Sequence, residues 1–130
     1  MVAFPSLLPW EMIRAQQEQH EQIMRALDEL GRSLAAGAAH PLLGHGTVRV
    51  STISGGVDAA TVAPSATLTI ERRFLPGESP DAVEAELRLA LGALLDSSAP
   101  DTARATLSRL VARGAFEAEQ HSPIVDVLSR

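Results

Sequence analysis

Apolar residues recur at helical spacing in the first third of the chain. Residues 9–34 are therefore predicted to form a helix, which Pro9 can open and which ends before Gly37. The apolar stripe consists of Ile13, Met24, Leu27, Leu30 and Leu34. Its early turns, RAQQEQHEQ, carry almost no apolar side chain. We expect that half either to face solvent or to contact something polar outside this chain.

Two short segments further along alternate between apolar and polar residues, which predicts two β-strands. They cover residues 47–53 and 66–74, and the connection between them suits an antiparallel pair. Because successive side chains of a strand point to opposite faces, one face of the pair is predicted to be apolar and the other wet. The positions on the apolar face are Val48, Val50, Leu68, Ile70 and, in the same register, Arg72.

A second helix is predicted after the turn at Pro76-Gly77. Ser79 can cap it, and Pro80 stands at its first position, where proline is favoured. Its apolar stripe consists of Val83, Leu87, Leu91 and Leu94. Ser122 followed by Pro123 has the same pattern and predicts the opening of another helix near the end of the sequence.

Residues 100–117 are ambiguous on periodicity alone. Ala103, Leu107, Leu110 and Val111 would form a helical stripe, but the last three of these together with Thr106 would also suit a strand. Local pattern therefore leaves helix and strand open here.

Composition narrows the class of protein. A chain of 130 residues with 45% hydrophobic content suits one domain, 1–130, and the net charge of −5 with scattered arginines argues against nucleic acid as a partner. The absence of cysteine excludes disulfides, thiolate nucleophiles and zinc–cysteine sites. The first residues show neither a basic leader nor a long apolar run, so we expect no signal peptide, no membrane span and a cytoplasmic location.

Residues with catalytic potential are present, but they do not form a recognised catalytic motif. Gly55-Gly56 lacks the spacing of a phosphate loop and precedes a strand instead of a helix. The segment HPLLGH has no helical pair of histidines and no carboxylate beside it. The histidines His20, His40, His45 and His121 are therefore interpreted as surface residues, with a metal-dependent enzyme built on the last three as a remote alternative.

The arginine pair Arg72-Arg73 has two interpretations. Both side chains could face water or pair with Glu71 and Glu78, which is the commoner role of strand arginines. Alternatively, one could project a planar guanidinium from a rigid strand towards a carboxylate ligand. The residues alone favour the first interpretation.

The run ISGGVDAATVAPSATLTIERRFLPGESPDAVEAEL resembles the dimerisation, or lid, domain of the M20 family of zinc-dependent metallopeptidases and deacylases. Acetylornithine deacetylase and succinyl-diaminopimelate desuccinylase belong to that family. The shared pattern is a strand ending in GG, a loop leading to a proline, a strand ending in arginine, and a PGE turn into a helix. The tail FEAEQHSPIVDVLSR is similar to the family's return segment towards its catalytic domain, beginning here at 122–130. The resemblance covers residues 40–130 and the first helix loosely.

The resemblance implies an α+β, ferredoxin-like fold of order βαββαβ. It predicts an antiparallel sheet of three to four strands with two helices on one face. The family's first strand has no counterpart in MVAFPSLLPW. The resemblance also places the last strand at residues 103–112, in spite of the helical stripe there.

The resemblance also implies a function for the domain. It would dimerise through a sheet edge or a helix face and help to close the active site of a metal-dependent amidohydrolase acting on an N-acyl amino acid or peptide. Catalytic residues and zinc, or cobalt, are expected in a separate catalytic domain, so this chain would bind no cofactor and would not catalyse alone. The alternative from another class is a free-standing ferredoxin-like module that binds a small anionic ligand or a protein partner.

One residue takes a site role by resemblance. Arg73 matches the family arginine that reaches a substrate carboxylate. The family asparagine of the loop before the proline falls at Ala60 or Thr61, so its polar contact is not expected here.

Overall fold

The computed structural model describes residues 9–61, 63–95, 105–119 and 122–129. Its elements in chain order are helix α1 (Pro9–Ala36), strand β1 (Thr47–Gly55), strand β2 (Ala66–Arg73), helix α2 (Pro80–Leu91) with a 3-10 turn (Gly92–Leu95), and the short helix α3 (Pro123–Leu128). The predicted helices and both predicted strands are confirmed, with ends that differ by a few residues. Within the described ranges, none of the helices could span a membrane.

Strands β1 and β2 form an antiparallel pair with one irregularity. Val50 pairs with Ile70 and Thr52 pairs with Thr69, so Ser51 is an extra residue on β1. This bulge reverses the alternation beyond it. As a result, residue 53 instead of residue 52 lies on the same face as Val50.

Helices α1 and α2 cover one face of the pair, which we call the inner face (Val48, Val50, Leu68, Ile70 and Arg72). The core beneath the helices is built around Ile23, Leu27 and Leu91, and the four apolar residues of the inner face pack against it. The opposite face, here called the outer face (Thr47, Arg49, Thr69, Glu71 and Arg73), carries polar residues throughout. The predicted wet face is confirmed.

The rotation of α1 differs slightly from the sequence prediction. Met24 was expected in the buried stripe, but it is 45% exposed, whereas Ile23 is 9% exposed. Since consecutive helical residues are about 100° apart, the buried stripe is shifted by one position at this turn. The polar half of α1 also contacts the chain itself, because the side-chain amide of Gln16 donates to the carbonyl of Ala63.

The start of α2 follows the sequence prediction. Oγ of Ser79 accepts a hydrogen bond from the backbone N–H of Ala82 at 3.2 Å, and Pro80 occupies the first helical position. The start of α3 follows it only in part. Ser122 has the extended backbone of an N-cap, but its side chain makes no capping hydrogen bond.

The predicted last strand at 103–112 is wrong for the residues described, since 105–119 contains neither helix nor strand. The first two positions of that prediction lie outside the described residues. Side-chain contacts hold the segment against α2. Arg109 donates to Asp81 at 2.8 Å and to Glu84 at 2.8 Å, and Arg88 donates to the carbonyl of Leu107 at 3.0 Å.

The predicted fold class is therefore confirmed at the level of an α+β domain with helices on one face of an antiparallel sheet. The sheet has two strands among the described residues, fewer than the three to four expected. A last strand at 105–112 would need an adjacent strand to pair with, and its backbone instead follows α2.

Candidate functional site

The two adjacent arginines of β2 have opposite environments. The side chain of Arg72 is 3% exposed on the inner face, whereas that of Arg73 is 68% exposed on the outer face. Strand alternation separates them, and the helices cover only one face. The pairing with Glu71 and Glu78 predicted from sequence is found, Arg73 with Glu71 and Arg72 with Glu78, and of the two arginines Arg73 alone has an exposed side chain.

Arg72 joins three parts of the fold. Its Nε donates to Glu86 of α2 at 2.9 Å and its Nη2 donates to Glu78 at 2.9 Å, while Nη1 donates to the carbonyl of Arg73. The second oxygen of Glu78 accepts the backbone N–H of Leu75 at 2.6 Å. These bonds fix the turn between β2 and α2, which is a structural role.

Arg73 belongs to a separate cluster on the outer face. Its Nε donates to Oε1 of Glu71 at 3.1 Å, and Nε of Arg49 donates to Oε2 of the same carboxylate at 2.5 Å. The bond from Arg73, followed by the bond and charge of Arg49, holds the pKa of Glu71 below its usual value. Two guanidiniums thus share one carboxylate.

The geometry suits the carboxylate-binding role that the resemblance implies for Arg73. Glu71 accepts a hydrogen bond from Nε of Arg73. In the part of the chain that the structure describes, the terminal nitrogens Nη1 and Nη2 of Arg73 make no hydrogen bond. A guanidinium that projects from a strand with this end open can receive a carboxylate in two-point fashion. The role itself stays a prediction.

The loop that follows β1 offers no side-chain amide. Asp58 closes a tight turn there: Oδ1 accepts the backbone N–H groups of Ala60 and Thr61, each at 2.8 Å, and Oδ2 accepts the hydroxyl of Thr61 at 3.0 Å. These bonds lower the pKa of Asp58, and the bond from the backbone N–H of Ala60 has the largest effect. The hydroxyl of Thr61 is thus used inside the turn and does not replace the family asparagine.

The described histidines do not belong to a cluster of metal ligands. His40 bonds to the segment that follows it, since its Nδ1 accepts the backbone N–H groups of Leu42 and Leu43 at 3.2 and 3.3 Å. Its Nε2 lies 3.1 Å from Oε1 of Glu117. Within the described ranges, His, Asp and Glu side chains do not gather in threes. Zinc or cobalt therefore has no set of ligands among these residues, and His121 of the alternative lies outside them.

Sequence reasoning missed several of these partners. Arg49 pairs with Glu71 across the strands, a contact that the strand register would have revealed if the bulge at Ser51 had been recognised. Glu117 reaches His40 from 77 residues away along the chain. Nothing in the local pattern signals that second contact.

Comparison with known families places these observations in context. A family model described as the peptidase dimerisation domain of M20 peptidases matches residues 10–99, which is more than half of the chain. The match includes α1, which the sequence resemblance covered only loosely. It ends before the segment 105–129, so the return segment expected from residue 122 onwards stays a prediction. Searches of curated proteins and of solved structures found no match.

Proposed function

The chain belongs to the M20 peptidase dimerisation domain family, and from this premise we propose that it is the dimerisation and substrate-lid domain of a metal-dependent amidohydrolase. The family match over α1, both strands and α2 is the observation that carries the proposal. In this proposal the metal, zinc or cobalt, and the catalytic residues belong to a catalytic domain that this domain helps to close. This domain contributes self-association and a substrate contact.

Exposed apolar surface supports self-association. Large apolar side chains contribute to this surface: Trp10 on α1 and Ile53 on β1 are 60% and 62% exposed. A second copy covering such residues would recover hydrophobic free energy, and a twofold axis lets the same surface serve both chains.

Two surfaces are candidates for this contact, the edge of the sheet at β1 and the helix face at α1. Strand edges carry backbone N–H and C=O groups that can pair with another strand. Helix α1 presents Ile13 and Met24, which are 43% and 45% exposed. We expect a homodimer through one of the two.

Light scattering coupled to size-exclusion chromatography tests this expectation. A homodimer has twice the 13.8 kDa mass of the chain. Ile53→Lys should dissociate a dimer formed through the sheet edge, and Met24→Lys one formed through the helix face. Neither residue belongs to the buried core. A strictly monomeric mass throughout the micromolar range would contradict the dimerisation proposal.

In the lid role, Arg73 would bind the carboxylate of an N-acyl amino acid or peptide. Its exposure supports this assignment, as does the lack of a hydrogen bond at its Nη nitrogens among the described residues. Thermal shift measurements with a panel of N-acyl amino acids test it, since Arg73→Ala should abolish a shift that the wild type shows. Arg32→Ala is the matched control, because Arg32 is also exposed and also paired with one carboxylate, that of Asp28. An equal loss in both variants would contradict a specific role for Arg73.

A further inference from the structure

The outer face carries a second arginine that neither the resemblance nor the family match assigns to a site. We propose that Arg49 and Arg73 together form a two-arginine carboxylate site, and that Glu71 is its intramolecular occupant. The ligand class is a small carboxylate. The inference rests on the proposed function, because it extends the carboxylate contact assigned there to Arg73.

The sheet register creates this juxtaposition. Arg49 stands directly opposite Glu71 on the neighbouring strand, and Arg73 stands two residues further along β2 on the same face. Cross-strand neighbours in an antiparallel pair have their Cβ atoms about 5 Å apart. Both guanidiniums therefore converge on one position, and each takes a different oxygen of the Glu71 carboxylate. A bound carboxylate would receive the same two contacts.

The local charge favours an anion. Two arginines and one glutamate leave the cluster with an excess positive charge, whereas the chain as a whole carries −5. The pKa of Glu71 is held below its usual value by Arg73 and then Arg49, so Glu71 is ionised near neutral pH. An external carboxylate must therefore compete with an internal one of the same chemistry.

The internal occupant is exchangeable, in contrast to the carboxylates bound by Arg72. On the outer face, the side chain of Arg49 is 62% exposed and that of Arg73 is 68% exposed. Exposed ion pairs of this kind stabilise a protein weakly. Arg72 is 3% exposed and bonded to both Glu78 and Glu86. A ligand with a further anchor can thus displace Glu71 without disturbing the fold.

The test uses the whole chain with succinate as the probe. Side-chain Nε–Hε resonances of the arginines are followed by ¹⁵N NMR at low ionic strength, where screening is weak. Glu71→Gln removes the competing charge and keeps the shape of the side chain. Asp28→Asn is the matched control, because it also frees an exposed arginine, Arg32, from its only carboxylate partner among the described residues.

We expect Glu71→Gln to bind succinate about fivefold more tightly than the wild type, the effect of removing one nearby like charge in water. Resonances of both Arg49 and Arg73 should move together, and adding Arg49→Gln should remove the gain. Arg49→Gln and Arg73→Gln are also measured with Glu71 intact. In that background each should weaken binding.

Four results would overturn the inference. The first is a gain in Glu71→Gln no larger than the gain in Asp28→Asn, and the second is no binding at all. The third is a gain that survives Arg49→Gln but is lost with Arg73→Gln. The fourth is a gain that survives both changes. The third result would leave the assignment of Arg73 in the proposed function intact, whereas the fourth would contradict that assignment as well.

Discussion

The guanidinium of Arg72 occupies the space that a side chain at position 46 would need. A Cβ built on Gly46 would lie 2.6 Å from Nη1 of Arg72 and 3.2 Å from the carbonyl oxygen of Arg73. The φ of Gly46 is not in the left-handed region, so this contact and not the backbone conformation requires glycine. The residue before β1 thus makes room for the arginine that joins β2 to α2.

Gly46→Ala should therefore destabilise the protein by about 1–3 kcal/mol, because the added methyl group overpacks a site that includes backbone atoms. Urea denaturation measures the loss. The matched control is Gly31→Ala in α1, where a Cβ would meet Val48 at an ordinary 3.6 Å. Alanine is the better helix former, so that change should stabilise by about 0.5–1 kcal/mol. Equal effects of the two changes would contradict the tight contact at Gly46.

Substitutions of the neighbouring arginines by methionine should have unequal effects. Arg72→Met leaves Glu78 and Glu86 without their buried partner and should cost about 3 kcal/mol of unfolding free energy. Arg73→Met removes an exposed ion pair and should cost less than about 1 kcal/mol. Both are followed by urea denaturation with the same probe. A larger loss for Arg73→Met would mean that the outer face, and not the inner one, stabilises this strand.

The two serine–proline helix starts should also differ. Ser79→Ala removes the hydrogen bond from the N–H of Ala82 and should cost about 1 kcal/mol. Ser122→Ala should cost nothing measurable, because the Ser122 hydroxyl is buried without a partner among the described residues. Thermal unfolding of the two variants side by side checks the difference. Equal destabilisation would show that Ser122 caps α3 after all.

The contact between α2 and residues 105–109 should weaken in acid. Arg88, followed by Arg109, holds the pKa of Glu84 below its usual value of 4.5. Because this pKa is lower in the folded state, the ion pairs stabilise the fold above 4.5 and are lost as the pH falls below it, through the folded pKa. Glu84→Gln should therefore lower Tm at neutral pH and match the wild type in acid.

The measurement for this prediction is Tm as a function of pH for the wild type and Glu84→Gln. The control repeats the pair in a background that carries Arg88→Gln and Arg109→Gln. There the difference between the two proteins should be small at every pH, since both cations are gone. A difference in Tm that stayed constant from neutral pH to below 4.5 would contradict the assigned ion pairs.

Much of the local structure could be predicted from sequence because its causes lie within a few residues. Proline and serine at the start of α2 determine where that helix begins, and alternation of Leu68 and Ile70 with polar neighbours determines the two faces of β2. The outward direction of Arg73 follows from the same alternation. The family pattern could be recognised for the same reason, since its motifs are short and local.

Contacts between distant segments could not be predicted in this way. Met24 and Ile23 are both apolar, and only the position of α1 over the sheet selects Ile23 for burial. The bulge at Ser51 sets which residue of β1 meets Glu71, and no residue preference marks it.

Propensity, capping and alternation act over a few residues, so the local sequence sets where α1, β1, β2 and α2 form and which face of the strands is polar. The tertiary structure alone decided that Arg72 is enclosed while Arg73 and Arg49 meet at Glu71. It also decided that 105–109 follows α2 and not the sheet, since Arg109 finds its carboxylates on that helix. These outcomes depend on which charged groups the fold brings within hydrogen-bond distance, and that is a property of packing between distant parts of the chain.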